Sequence, residues 1–334
     1  MATLSPETVW NADEKELLNL LNSGALAQNP KKVRFYAPSF AHYKISSHCS
    51  TGKCFPTFSV TGKNCALNCK HCEGKLLATM QPADTPEKLF KVATKLKAQG
   101  GVGCLVSGGC TSTGSVPLGK FIPVLAKMKR ELGLTVIVHT GIIDYSTAVA
   151  LKNAGVDAAL IDIVGSDDTI RQVCHLNLAV EDYENSLKAL NDARLSFVPH
   201  VIVGLQNGKL QGEFRALKMI AKFEPSALVI IAFMPIRGTL MEKTKPPSPS
   251  DTARVVATAR LMFPNTPTAL GCMRPKGKLR DETDCLSLKA GVDAIAFPSE
   301  EAIRYAEEQG YETSFSPYCC SQIFVDTVSR NVSK

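Results

Sequence analysis

Eight short apolar or β-branched runs alternate with eight segments of helical spacing, and that alternation restricts the fold of this chain more than any other feature. The runs fall at 57–60, 102–107, 134–139, 156–163, 197–203, 228–234, 268–272 and 292–296. The helical segments that follow them fall at 86–97, 119–132, 146–153, 180–193, 213–223, 250–262, 282–289 and 300–309. Several open on a capping residue, as at Thr85-Pro86-Glu87 and Ser250-Asp251, and several stop at a glycine, as at Gly100, Gly155 and Gly310. Continuous apolar runs belong to strands covered on both faces, so a parallel sheet is expected. Eight such units close most simply into an α/β fold of (β/α)8 TIM type, a doubly wound open sheet being the alternative. Residues 56–310 are assigned to that barrel. Residues 1–55 are expected to form a helix (12–22) and an arm (35–48), and 311–334 an irregular C-terminal tail carrying Cys319 and Cys320.

Hydrophobic residues make up 45% of the chain and charged residues 21%, so a large core is available and disorder is excluded. The longest apolar stretch, 227–236, fits a buried strand and falls short of a membrane span. The first twenty residues are acidic and amphipathic rather than basic then apolar, which points to the cytoplasm. Twelve cysteines in a reducing compartment do not form a disulfide framework, so close clusters of them suggest metal binding or catalysis. The net charge of +7 is spread along the chain without a nucleic-acid motif; it is consistent with a solvated surface or with attraction to an acidic protein.

The loop after the first barrel run reads FSVTGKNCALNCKHCEGKLL, placing Cys65, Cys69 and Cys72 in CxxxCxxC spacing. Three thiolates that close can hold three irons of a cubane and leave the fourth open to a ligand. Zinc is the alternative, with His71 available as a fourth ligand. Position favours iron–sulfur chemistry, because loops after barrel strands lie at the catalytic C-terminal face.

This spacing at this place resembles the radical S-adenosylmethionine (radical SAM) superfamily. The resemblance implies that Cys65, Cys69 and Cys72 bind a [4Fe–4S] cluster whose open iron is chelated by S-adenosylmethionine. It also implies reductive release of a 5′-deoxyadenosyl radical, chemistry that no side chain supplies. Further segments agree. Ser107-Gly108-Gly109 resembles the backbone motif that binds the methionyl ammonium, although Cys110 stands where the family has an acid. Asp162 matches the position that holds the ribose hydroxyls, and Val203-Gly204 in VIVGL resembles the motif against the adenine. His71 replaces the usual aromatic residue before the third cysteine and can pack on the adenine by its edge.

The second half of the chain resembles the biotin synthase subgroup: PIRGT (235–239), then a capped helix, then LGCMRP (270–275), whose Arg274 matches an arginine beside that group's second, sulfur-donating cluster. The donor cysteines themselves are not reproduced, since His139 and His200 occupy two of their places. From 35 to 320 the chain is also similar to the archaeal-type two-protein lipoyl synthase, through FYAPSF, the cluster loop, SGG, HTG (139–141), LGCMRP and CCS (319–321). That resemblance implies two-step sulfur insertion into an octanoyl chain on an acidic lipoyl domain or carrier protein, with a second radical SAM protein and a low-potential electron donor as partners. It also implies an auxiliary iron–sulfur cluster as sulfur source, with Cys272, Cys319 and Cys320 as candidate ligands and Cys49 and Cys54 also available. Neither nucleic acid nor membrane is expected as a partner. A single-cluster radical SAM mutase and a zinc-binding structural protein remain as alternatives.

Overall fold

The computed structural model describes residues 4–27, 31–38, 43 and 54–328. Among these, eleven strands form one sheet: β1 (Lys32–Tyr36), β2 (Thr57–Ser59), β3 (Gln81–Pro82), β4 (Gly103–Ser107), β5 (Thr135–His139), β6 (Ala158–Asp162), β7 (Phe197–Val203), β8 (Leu228–Ala232), β9 (Thr268–Leu270), β10 (Ala294–Ala296) and β11 (Glu312–Ser316). The order is β11-β1-β10-β9-β8-β7-β6-β5-β4-β2-β3, with every pairing parallel. The eight expected runs are thus β2 and β4 to β10, laid side by side in chain order as a TIM-type barrel requires. β11 and β3 end the order, so the sheet is curled around its inner face rather than joined into a hydrogen-bonded ring.

Parallel neighbours need crossovers, and helices supply them. Thr85, Asp144, Ser248 and Ser299 each accept a hydrogen bond from the backbone N–H three residues on, starting the helices Pro86–Ala98, Tyr145–Asn153, Pro249–Met262 and Glu300–Glu308. The strands sort their side chains with period two. Val136 and Val138 of β5, Ala159 and Ile161 of β6, and Val201 and Val203 of β7 pack outward into the core shared with the helices. Ile137, Ala158, Leu160, Val198, Val229 and Ile231 pack into a separate inner core. Two residues beyond Ile137, Leu160 and Val198 stand His139, Asp162 and His200, which therefore continue the inward-facing rows toward the C-terminal ends of their strands. This alternation carries polar groups into the barrel.

Among the described residues, the segment before the barrel and the tail each contribute a strand the sequence does not announce; most of the expected arm, 39–42 and 44–48, lies outside the described residues. In β1, Val33 and Phe35 join the outer core while Tyr36 joins the inner one. Tyr36 Oη donates to Asp326 at 2.6 Å, and Arg34 pairs with the same carboxylate at 2.7 Å. The C-terminal helix Ile323–Val328 is thereby tied to the inner side of β1, with Ile323 in the inner core. At the other end of the chain, the helix Pro6–Asn11 docks through Trp10, stacked on Phe214 at 5.0 Å, and Arg254 Nη1 donates to the carbonyls of Val9, Trp10 and Ala12. No helix of the described residues is long and apolar enough to cross a membrane.

Candidate active site

The cysteine loop leaves β2 at the C-terminal end of the sheet and is held from two sides. Toward β4, Val60 N–H donates to Ser107 O (2.8 Å), Gly109 N–H to Thr61 Oγ1 (2.7 Å) and Ala66 N–H to Cys110 O (2.9 Å). Toward the segment after β6, Lys70 N–H donates to Val173 O (2.9 Å) and the Cys69 thiol to Cys174 O (3.3 Å). Glu73 then reaches the loop after β8, accepting from Leu240 N–H at 2.8 Å. Asn68 and Glu73 adopt left-handed backbone (φ 49° and 44°), which turns the chain back on itself around the cysteines.

Gly109 fixes how closely the loop approaches β4. A Cβ there would lie 2.1 Å from Asn64 O and 2.6 Å from Cys65 Cβ, so only glycine leaves Cys65 in place. Gly108 is less confined, with its nearest neighbours on Thr61 and Val60 at 3.1 Å. Ser107, Gly108 and Gly109 thus act on the loop through backbone and close packing.

Cys69 is buried; Cys65, Cys72 and Cys110 are partly so. The Cys69 thiol is pushed up by its bond to Cys174 and by burial, against the lowering effect of Cys72. Cys72 is pushed up to about 12 by its bond to Cys69 and then by burial; Cys110 is pushed up to about 12 by burial and then by Cys65. Thiols crowded in this way keep their protons until a cation displaces them, the property of a thiolate metal site. The donor set suits an iron–sulfur cluster: three cysteines within eight residues of one loop, at the mouth of the sheet, on a backbone pinned on both sides, although only the sulfurs of Cys69 and Cys72 converge and Cys65 stands outside their group. His71 is drawn in as well, since a ring nitrogen and the sulfurs of Cys69 and Cys72 all lie within 4.8 Å of one another. Its Nδ1 is buried without a hydrogen-bond partner.

Inside the sheet, His139 Nε2 lies 3.5 Å from Asp162 Oδ2, and the His139 and His200 rings are 6.0 Å apart. Burial acts against the charge on His139, but the Asp162 carboxylate outweighs it and the net shift is upward. Burial likewise opposes ionisation of Asp162, yet His139 and then His200 draw its pKa down to about 2. His200 is pushed down to about 4, by burial first.

The tail brings its cysteines to the same interior. The turn Cys320–Gln322 packs across β8, β9 and β10, with Cys320 in the inner core and Cys272 and Cys319 against it. Cys272, following β9, is pushed up to about 11 by burial and then by Cys319. Cys319 is drawn down to about 7 by hydrogen bonds, first from Cys320 and also from Ser321 Oγ at 3.1 Å. Cys104 faces the outer core and is a packed thiol, pushed up to about 12 by burial. Cys49 lies outside the described residues, as do Ser39 and Phe40 of FYAPSF.

Two expected ligands are corrected. Arg274 is fully buried and spends all its donors on protein: Nε and Nη2 on Asp284 (2.6 and 2.9 Å), Nη1 on Gly271 O and Ala296 O, and Nη2 again on Phe297 O. A guanidinium so satisfied has no N–H left for a cofactor. Val203 packs outward; Ile202, its neighbour, faces the interior. Gly204 turns the chain at φ 74°, but its N–H is engaged by Glu213 Oε1 at 2.8 Å. Its carbonyl accepts from Gly208 N–H. The sequence singled out His139 and His200 only as replacements, and it missed Thr61 and Glu73 as the loop's anchors. The inward parity of the two histidines was the available signal.

Residues 59–209 match the family model of the Radical SAM superfamily. Among curated proteins, the chain is 26% identical over 303 residues to the mitochondrial biotin synthase of Emericella nidulans, covering 88% of this chain and 74% of that one. It is 24% identical over 249 residues to biotin synthase of Acidithiobacillus ferrooxidans, covering 73% and 77% respectively. Among solved structures, methylornithine synthase (PylB) superposes with a TM-score of 0.61 at 16% identity, covering 92% of this chain and 93% of that one. HydG, a maturase of the [FeFe]-hydrogenase, superposes with a TM-score of 0.63 at 16% identity, covering 94% and 72%. The structural likenesses concern the fold.

Proposed function

We propose that the chain acts as a radical SAM, biotin synthase-like enzyme and inserts sulfur into an octanoyl chain in lipoyl formation. Its cofactors are a [4Fe–4S] cluster and S-adenosylmethionine. When bound, they supply a 5′-deoxyadenosyl radical able to remove hydrogen from an unactivated carbon.

Cys65, Cys69 and Cys72 hold the cluster in this proposal, and Gly109 keeps Cys65 at its place in the loop. In this proposal the Ser107-Gly108-Gly109 segment faces S-adenosylmethionine at the mouth, and His71 borders it. The inner core below the site, from Ile137, Leu160, Val198 and Ile231, excludes water from the reacting carbon. The observation that carries sulfur insertion is the tail: its vicinal cysteines fold inward beside Cys272 instead of facing solvent. Cys272, Cys319 and Cys320 are then the protein ligands of an auxiliary cluster that donates sulfur. The net charge of +7 suits an acidic lipoyl domain or carrier protein as the octanoyl donor. A second radical SAM protein and a low-potential electron donor complete the proposed partners.

Iron and sulfide per chain after anaerobic reconstitution test this assignment. Two clusters give about eight irons, a single-cluster mutase about four, and a zinc protein built on Cys69, His71 and Cys72 none. Replacing Cys319 and Cys320 together by alanine is expected to halve the iron and to spare cleavage of S-adenosylmethionine. A double variant with full iron would return the tail cysteines to a packing role.

A further inference from the structure

We propose that the loops following β2, β7 and β8 form a docking surface for an acidic protein domain, which seats on their unpaired cations and on Leu240 and presents its acyl arm to the mouth of the sheet. What the domain carries rests on the function proposed above; where it binds does not. Residues 61–80, 204–212 and 234–248 leave the C-terminal ends of three parallel strands and therefore share one face. Contacts join them into one surface. Glu73 Oε1 accepts from Leu240 N–H at 2.8 Å. A Cβ on Gly238 would lie 2.8 Å from Lys75 Nζ, and one on Gly208 would lie 2.0 Å from Lys245 O. The cysteine loop belongs to this face, so a domain resting on it stands beside the cluster site.

The exposed cations of these segments are Lys63, Lys75, Lys209, Arg237, Lys243 and Lys245. Among the described residues none of them pairs with a carboxylate. The segments hold two acids, Glu73 and Glu242, and both accept backbone N–H groups, those of Leu240 and Gly238. The ordinary account of surface lysines is a solvated face balanced by neighbouring acids. Lys88, Lys188 and Lys222 fit it, each paired with an aspartate or glutamate. The mouth does not. Its three segments lie far apart in the sequence, and the fold gathers most of the net charge of +7 onto one face. Such a field steers and orients an anionic partner. Leu240, between Arg237 and Lys243, is 71% exposed, an apolar anchor inside a charged rim as protein interfaces have. Nucleic acid fits less well, because the segments contain no Phe, Tyr or Trp for bases to stack on and a single arginine. A membrane surface calls for more than one exposed apolar side chain.

The probe is an acidic lipoyl domain carrying octanoyl-lysine, offered to the reconstituted holoenzyme beside a short neutral octanoyl-lysyl peptide. Lys209→Glu, Lys243→Glu and Lys245→Glu together are expected to raise KM for the domain by about tenfold or more. The kcat, the KM for the peptide and uncoupled cleavage of S-adenosylmethionine should not change. Leu240→Ser should weaken binding of the domain by about tenfold, as loss of a leucine buried against a partner does. Lys91→Glu, Lys95→Glu and Lys97→Glu impose the same charge change on the helix Pro86–Ala98 and should alter KM for the domain by less than about twofold, the distance being screened. If wild type forms no thiolated product, sulfur insertion fails. The surface is then read from the dissociation constant of the unmodified domain by calorimetry, which the rim substitutions must still raise. No binding by wild type, indifference to the rim substitutions or an equal response to the helix substitutions overturns the docking surface. So does tighter binding of an oligothymidylate, or of vesicles of equal parts phosphatidylserine and phosphatidylcholine, than of the domain.

Discussion

Alanine at Cys65, Cys69 and Cys72 together is expected to reduce formation of 5′-deoxyadenosine to background when the protein is incubated anaerobically with dithionite and S-adenosylmethionine. The three thiols sit on one loop whose backbone anchors do not depend on them: Val60 N–H bonds to the last carbonyl of β4, Ala66 N–H to a carbonyl after it and Lys70 N–H to one after β6. The barrel should therefore fold without the cluster, its inner and outer cores being built elsewhere. Loss of activity with retained secondary structure is then a loss of chemistry. Equal yields of 5′-deoxyadenosine from wild type and the triple variant would remove these residues from catalysis.

The second large effect is on stability. Arg274 and Asp284 form a bidentate pair with both side chains fully buried, and the guanidinium also ties together the segments after β9 and β10. Arg274→Met leaves the buried Asp284 carboxylate with the Ser299 N–H but no cation bonded to it, and removes the guanidinium donors from the Gly271 and Ala296 carbonyls, a loss of about 3–5 kcal/mol. The double variant Arg274→Met with Asp284→Leu removes the stranded charge and is expected to recover much of that loss, because apolar replacement of a whole buried pair is often neutral. Urea unfolding of wild type, single and double variants measures both. A single variant within about 1 kcal/mol of wild type would show the pair to be dispensable, in contrast to a buried charge left unpaired.

How much of this was legible beforehand differs from element to element. β2 and β4 to β10 announce themselves because strands buried on both faces leave continuous apolar runs. β1 and β11 do not: Lys32–Tyr36 mixes charged with apolar residues, Glu312–Ser316 has Phe315 as its one large apolar residue, and neither is followed by a repeat unit. Strand β3 is two residues long, too short for any pattern. In the site, the cysteine loop is legible because its spacing lies within eight residues. Arg274 is not, since a sequence gives the residue type but not whether five N–H groups are already spent. Val203 and Ile202 differ only in which face they take, which register decides. His139, Asp162 and His200 are separated by up to 61 positions, and only the alignment of three strands brings them together.

Proposed sulfur insertion is read most plainly from the mass of the carrier. The reconstituted protein, supplied with dithionite, S-adenosylmethionine and an octanoyl-lysyl carrier peptide, should return a peptide heavier by one or two sulfur atoms, with 5′-deoxyadenosine formed alongside. Release of 5′-deoxyadenosine while the octanoyl peptide keeps its original mass, in protein carrying a full complement of iron and sulfide, would contradict the claim.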